Sequence, residues 1–378
     1  RDHMVPLSDQ VVVASDAGTG IGYTGIRIRG TDATRINVTL NGVPFNDAES
    51  GGTFFVNLPD FSSSAASIQI QRGVGTSSNG PGAFGATINM STNEVTKKAY
   101  LELSNSFGSF NTLKNTLRAG TGLINEKFTV DARLSRISSD GYVDRARSDL
   151  KAFYVSGAYR HNKSNLRLNV FSGNEETYQA WNGVSGADLK ERRTYNSAGT
   201  EKGGEPYDDE TDNYKQTHYQ AFFDHQLSPT LVFNTGVFYV RGKGYYQQYK
   251  ADRKYSDYNI TPLSTDVTRT DLVRQLWLDN HFYGTIFSVQ HQTPKTGITL
   301  GGSVSHYTGE HFGTVTWADK GFKNAARWYD NDAKKGDWNV YGKWQQALTP
   351  KLQWFTDLQV RRVVYTANGF RDHPDLNI

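Results

Sequence analysis

Three groups of residues have types and spacings that invite chemistry. Gly80, Gly82 and Gly85 spell G-x-G-x-x-G, the spacing of a dinucleotide-binding turn. His306, Glu310 and His311 offer two imidazoles and a carboxylate in close sequence, a metal-binding combination. Asp330, Asp332 and Asp337 resemble the carboxylates of a calcium loop. None completes its chemistry. The dinucleotide turn must open a helix, because the pyrophosphate rests on the helix N-terminus. Residues 86–92, Ala-Thr-Ile-Asn-Met-Ser-Thr, show no helical stripe, and Pro81 sits inside the motif. His306 and His311 are separated by an odd interval, which on a strand puts them on opposite faces. Lys334 stands where a calcium ligand belongs. The acidic run Tyr207-Asp208-Asp209-Glu210-Thr211-Asp212 reads as a solvated loop. No Ser–His–Asp or paired-carboxylate site can be assembled. The chain therefore reads as a non-enzyme with no resident metal or cofactor.

Composition narrows the class. The 378 residues include 21 Tyr, 20 Phe, 7 Trp and 37 Gly, with a net charge of only +3. Mean hydropathy is −0.61. The small charge argues against a nucleic-acid partner. The absence of cysteine removes disulfides and thiolate chemistry. No apolar run approaches the roughly 20 residues of a membrane-spanning helix. Membrane β-barrels escape that test, because they cross with strands of alternating residues. Arg1-Asp2-His3-Met4 does not read as a native start.

The elements that would position any site fall into two regions. Residues 1–97 are rich in Gly, Ser, Thr and Asn and hold short strand-like pieces, with a short turn expected between Leu58 and Ala66. From Lys98 the chain alternates with period two. Phe128, Val130, Ala132 and Leu134 interleave with Lys127, Thr129, Asp131 and Arg133, and similar segments recur to Val360. Eleven strands are expected, at about 99–110, 111–123, 126–138, 150–161, 165–176, 214–227, 230–243, 271–292, 297–317, 336–348 and 352–367. Tight turns alternate with long polar loops at about 139–149, 177–213, 244–270 and 318–335. Aromatics near segment ends, namely Trp277, Phe282, Tyr283, Trp338, Trp344 and Trp354, suit interface girdles. These features favour an outer-membrane barrel over a soluble sandwich. An odd strand number is not expected of a closed bacterial barrel, so the chain reads as incomplete at its C-terminus.

Four segments carry a resemblance. Ile26-Arg27-Ile28-Arg29-Gly30, Leu40-Asn41-Gly42-Val43-Pro44-Phe45-Asn46-Asp47, Ile68-Gln69-Ile70-Gln71-Arg72-Gly73 and Phe84-Gly85-Ala86-Thr87-Ile88-Asn89-Met90 resemble, in order and spacing, the plug domain of TonB-dependent outer-membrane receptors. The resemblance implies an all-β membrane barrel of about 22 strands with an N-terminal mixed α/β plug inside. Residues 1–97 would be the plug and residues 98–378 the first half of the barrel. It also implies import of a scarce nutrient at the bacterial outer membrane, driven by TonB with ExbB–ExbD. The TonB box that would precede the plug is expected to be absent from this chain.

The expected site residues rest on that resemblance. Arg27, Arg29, Gly30, Asn41, Gly42, Arg72, Gly73 and Gly85 belong to the plug motifs. Arg29 and Arg72 are read as plug–barrel locks that need carboxylate partners. Gly73, Gly75, Gly80, Gly82 and Gly85 are read as a plug apex and its return strand. From the plug, Phe45, Asn46, Asp47, Glu49, Phe54 and Phe55 are expected to face an outer vestibule. Loop 177–213 would add Tyr178, Trp181, Arg192 and Arg193, and loop 244–270 would add Tyr245 and Tyr246. Aromatic faces with arginines suit an anionic, catechol-like or planar chelate and equally a sugar; together with the plug motifs they make a ferric siderophore the leading expectation. Haem, cobalamin or an oligosaccharide under a surface lipoprotein remain the alternative cargoes, and a passive porin the alternative class. For haem, His281, His306 or His311 would be the axial ligand.

Overall fold

The computed structural model describes residues 11–79, 84–92, 95–324 and 326–371. Gly80, Gly82 and Pro81 of the dinucleotide-like motif lie outside them. The segment after the motif is a strand, not a helix, so the motif lacks the feature that holds a pyrophosphate.

The plug region begins with a hairpin of β1 (Val11–Ser15) and β2 (Thr24–Ile28). Next comes a four-stranded mixed sheet of β3 (Ile36–Leu40), β4 (Val43–Pro44), β5 (Ser67–Arg72) and β6 (Ala86–Ser91), in the order β4-β3-β6-β5. β3 and β6 run parallel, and the other pairs are antiparallel. Asn41 and Gly42, at φ 58° and 84°, form the two-residue turn between β3 and β4, the left-handed geometry that an Asn-Gly pair tolerates best. The helical component is short: 3-10 turns such as Ala33–Arg35 and Phe61–Ser64, the second within the expected 58–66 turn. Ile28, Ile36, Val38, Leu40 and Ile88 form the plug core, which closes against Tyr154 and Phe171 of the neighbouring wall.

That wall is one sheet of eleven strands in sequential order, each antiparallel to the next. They are β7 (Tyr100–Gly108), β8 (Thr112–Gly120), β9 (Phe128–Ser139), β10 (Ser148–His161), β11 (Ser164–Tyr178), β12 (Thr211–Ser228), β13 (Leu231–Lys254), β14 (Arg269–Gln292), β15 (Thr296–Ala318), β16 (Tyr329–Thr349) and β17 (Leu352–Arg371). All eleven correspond to expected segments, but several are longer. β13 continues through Tyr246 and Tyr249 to Lys254, so the first part of the expected loop 244–270 is strand. β16 starts at Tyr329, which puts Asp330 and Asp332 on a strand rather than in a calcium-like loop.

The sheet is apolar on its outside. On β9 the outward residues Phe128, Val130 and Leu134 are 47%, 45% and 59% exposed, while inward Thr129 and Arg133 are buried. A water-soluble sandwich would do the reverse; lipid is the solvent this face fits. Trp338, Trp344, Trp354 and Tyr283 are exposed as expected of a girdle. Phe282 is not: it points inward and packs on Phe238 and the plug's Val43.

Candidate functional site

The plug meets the wall through a small set of polar contacts. Asp60, held at φ 57° beside the Phe61–Ser64 turn, accepts from Lys114 at 2.5 Å and from the Thr116 and Ser135 hydroxyls at 2.7 Å each. Burial works against this carboxylate, yet Lys114 and the hydroxyls outweigh it and hold it below the usual range. Asn41 donates to Gln220 of β12 at 3.0 Å. Ser77 contacts Asp357 of β17, and Lys343 donates to Ser78 at 2.7 Å. The loop after β4 is fixed by Glu49, which accepts from His311 Nε2 and Tyr307 Oη at 2.7 Å and from Tyr365 Oη at 3.2 Å. Lys335 Nζ donates to the Ala48 carbonyl at 2.6 Å beside it.

On the side of the long loops the Glu49–His311 contact borders a cavity of about 410 Å³. Its plug-borne lining is Tyr23, Phe45, Asp47, Phe54 and Asn57; the wall adds Asp212, Tyr214, Gln216, Gly244, Tyr245, Tyr246, Leu276, Trp277, Leu278, His311, Tyr329 and Asn331. Asp47 accepts from the Ser50 N–H at 2.7 Å, which stiffens the loop that carries Glu49. Trp181 packs edge-on to Tyr23 and Tyr246, at ring distances of 6.1 and 5.9 Å.

The expected vestibule residues divide accordingly. Phe45, Asp47, Phe54 and Tyr246 come together around the cavity, with Trp181 and Glu49 at its border. Asn46 is engaged internally: its side chain bonds Val38 N, Ile36 O and Gly51 O. Phe55 packs on the plug core. Tyr178 is buried, and its hydroxyl donates to the Tyr207 carbonyl at 2.6 Å, so it knits the long loop together. Tyr245 lines the cavity as well, with its ring 4.6 Å from that of Trp277, another lining residue. Arg192 pairs with Asp188 at 2.6 Å and lies over Tyr195, and Arg193 is exposed; neither lines the cavity. His281 and His306 face outward beside Tyr239 and Tyr283, so of the three histidines only His311 reaches the cavity.

Arg27, Arg29 and Arg72 are exposed on the plug, and Gly73 holds φ 86° with its N–H on the Gly85 carbonyl at 2.8 Å. Arg29 has no carboxylate within 4 Å among the described residues. Asp60, Glu49 and Tyr23 are among the side chains that tie plug to wall. Tyr23 and Glu175 escaped sequence reasoning. The available signals were an isolated aromatic in the run Gly18-x-Gly20-x-Gly22 and an acid on the inward face of β11.

An apolar-outside sheet carrying a mixed plug on its polar face is the architecture of part of a plugged outer-membrane barrel. Residues 8–87 match the TonB-dependent Receptor Plug Domain. Among solved structures, the chain is similar to P. aeruginosa FpvA bound to a heterologous ferripyoverdine (TM-score 0.64, 13% identity, 95% of this chain and 48% of that one). It is similar also to the ferric-catecholate import receptor Fiu of E. coli K12 (0.64, 16%, 92% and 55%) and to the copper transporter OprC (0.66, 14%, 96% and 52%). A sequence search of curated proteins finds no match. The chain spans about half the length of the solved structures it matches. Residues 8–87 thus carry the plug domain of TonB-dependent receptors, and the rest of the described chain has the fold of an eleven-stranded part of such a barrel.

Proposed function

We propose that this chain is part of a receptor that actively imports a scarce nutrient, a ferric siderophore or related iron chelate, across the outer membrane with TonB and ExbB–ExbD as its energy source. The observation that carries the reading is the cavity formed jointly by plug and wall, with aromatic rings around it and the Glu49–His311 contact at its edge. A ligand seated there touches both bodies at once, which is what a signal from cargo to plug requires. The work is binding and gating rather than catalysis. Two of the solved structures named above are described as binding or importing ferric chelates, and one as transporting copper. Haem is the weaker cargo, because His311 Nε2 is already bonded to Glu49. A porin would have no use for a plug packed into its wall.

The test is uptake of radiolabelled ferric chelates by cells that carry the full-length protein, before and after collapse of the proton-motive force. Saturable uptake that disappears with the gradient is expected. Uptake that persists unchanged would sink the proposal.

A further inference from the structure

The cavity is acidic. Asp47 and Asp212 line it, and among the described residues no lysine or arginine does. Directly behind Asp212 lies Glu175, 1% exposed. The two carboxylates share one side-chain donor: the Tyr23 hydroxyl stands 2.8 Å from Asp212 Oδ2 and 3.2 Å from Glu175 Oε1. One O–H can serve one of them at a time. The other oxygen of Glu175 is buried with no hydrogen-bond partner. Neither carboxylate has a basic partner within 4 Å among the described residues. A buried carboxylate beside a half-buried one, with one shared side-chain donor, forms a site short of positive charge, and leaving a buried anion uncompensated is costly.

The surroundings indicate what supplies that charge. Tyr23, Phe54, Tyr246 and Trp181 surround the approach to Asp212 with aromatic faces and edges. Rings beside carboxylates are the surroundings that stabilise a desolvated organic cation. A hard metal ion prefers a cage of oxygens without rings. The Tyr23 phenol, pushed well above its ordinary range by burial and by these two carboxylates, stays a neutral donor and adds no competing negative charge.

We propose that the cavity holds its cargo by a cationic nitrogen group, an ammonium or guanidinium on the ligand, seated against Asp212, with Glu175 behind it, between the rings of Tyr23 and Tyr246. This rests on the reading of the cavity as the cargo site and narrows that cargo to chelates with a cationic arm. Arg192 and Arg193, expected to attract anions, lie away from it.

The experiment titrates purified full-length protein with agmatine, which carries both cationic groups, with neutral N-butylurea, and with calcium chloride. The readout is tryptophan fluorescence, since Trp181 contacts Tyr23 and Tyr246. Saturable quenching by agmatine alone is expected, weakened about tenfold or more in Glu175→Gln and in Asp212→Asn. Both variants keep the side-chain shape and remove a buried charge, and circular dichroism verifies their fold. Quenching by calcium alone, lost in the same variants, would mean an inorganic cation site and overturn the proposal. Silence toward agmatine and calcium would mean that the carboxylates share a proton, and would overturn it too. Gradient-dependent iron uptake without an agmatine response defeats only this inference. An agmatine response without such uptake defeats only the import reading.

Discussion

Glu49 and His311 are 262 positions apart in the chain and 2.7 Å apart in space, one on the plug loop and the other on β15. Through this contact the cavity wall and the plug share a charged hydrogen bond. Burial opposes the Glu49 carboxylate, but the His311 N–H and the Tyr307 and Tyr365 hydroxyls together hold it below the usual glutamate range. A group with a depressed folded pKa contributes its stability above the unfolded value, about 4.3 for glutamate, and loses it as pH falls through the lower folded value. Glu49→Gln should therefore weaken plug retention by about 1–3 kcal/mol at pH 7. The difference from wild type should shrink below pH 4. Urea midpoints of plug release at the two pH values measure it, and a penalty independent of pH would refute the charged latch.

Asp60 is the second tie between plug and wall. Its side chain is fully buried and serves Lys114, Thr116 and Ser135 on two adjacent strands. Asp60→Asn keeps a residue type that tolerates φ 57°. It removes the charge facing Lys114, so a loss of about 1–3 kcal/mol is expected, and Asp60→Ala should cost more because the hydroxyls also lose their acceptor. Limited proteolysis of the plug in detergent provides the comparison. Equal protection in all three proteins would mean that the contact holds nothing.

The strand alternation was readable because lipid and lumen impose opposite polarity on the two faces. Phe128, Val130 and Leu134 therefore announced β9. Beyond the membrane both faces are wet and the signal fades. Tyr245-Tyr246-Gln247-Gln248 consequently read as loop, although β13 runs through it. The site was half legible. Phe45, Asp47, Phe54 and Tyr246 were recognisable as vestibule residues on a resemblance. The pairing of His311 with Glu49 was not, because spacing within one strand can only ask whether His306 and His311 share a face. It cannot name a partner brought close by the fold. The same holds for Tyr23, whose two carboxylates come from β11 and β12.

The outward face of β9 gives a test of the solvent. Leu134 is 59% exposed. On a water-soluble protein Leu134→Arg would change stability by less than about 0.5 kcal/mol. On a lipid-facing strand the same change costs about 2–4 kcal/mol near the bilayer midplane. Refolding of the full-length protein into lipid vesicles, followed by denaturant titration, distinguishes the two, and a neutral result would contradict a membrane-facing β9.

Gly85 closes the question raised by the glycine motif. Its N–H donates to the Arg35 carbonyl and its own carbonyl accepts from Gly73, each at 2.8 Å, so the backbone is fixed on both sides. A Cβ placed there would come within 2.8 Å of Thr31 Cβ and would also crowd the Thr31 hydroxyl, which donates to Ile28 at 2.7 Å. The glycine is thus required by close packing between the β2 turn and β6. Gly85→Ala should cost about 1–3 kcal/mol through overpacking. Thr31→Gly in the same chain should recover part of that loss, because it removes the atoms in the way. Thermal melts of the two single variants and the double variant form the cycle. If Gly85→Ala were neutral, or Thr31→Gly only added to its cost, the packing explanation would fail.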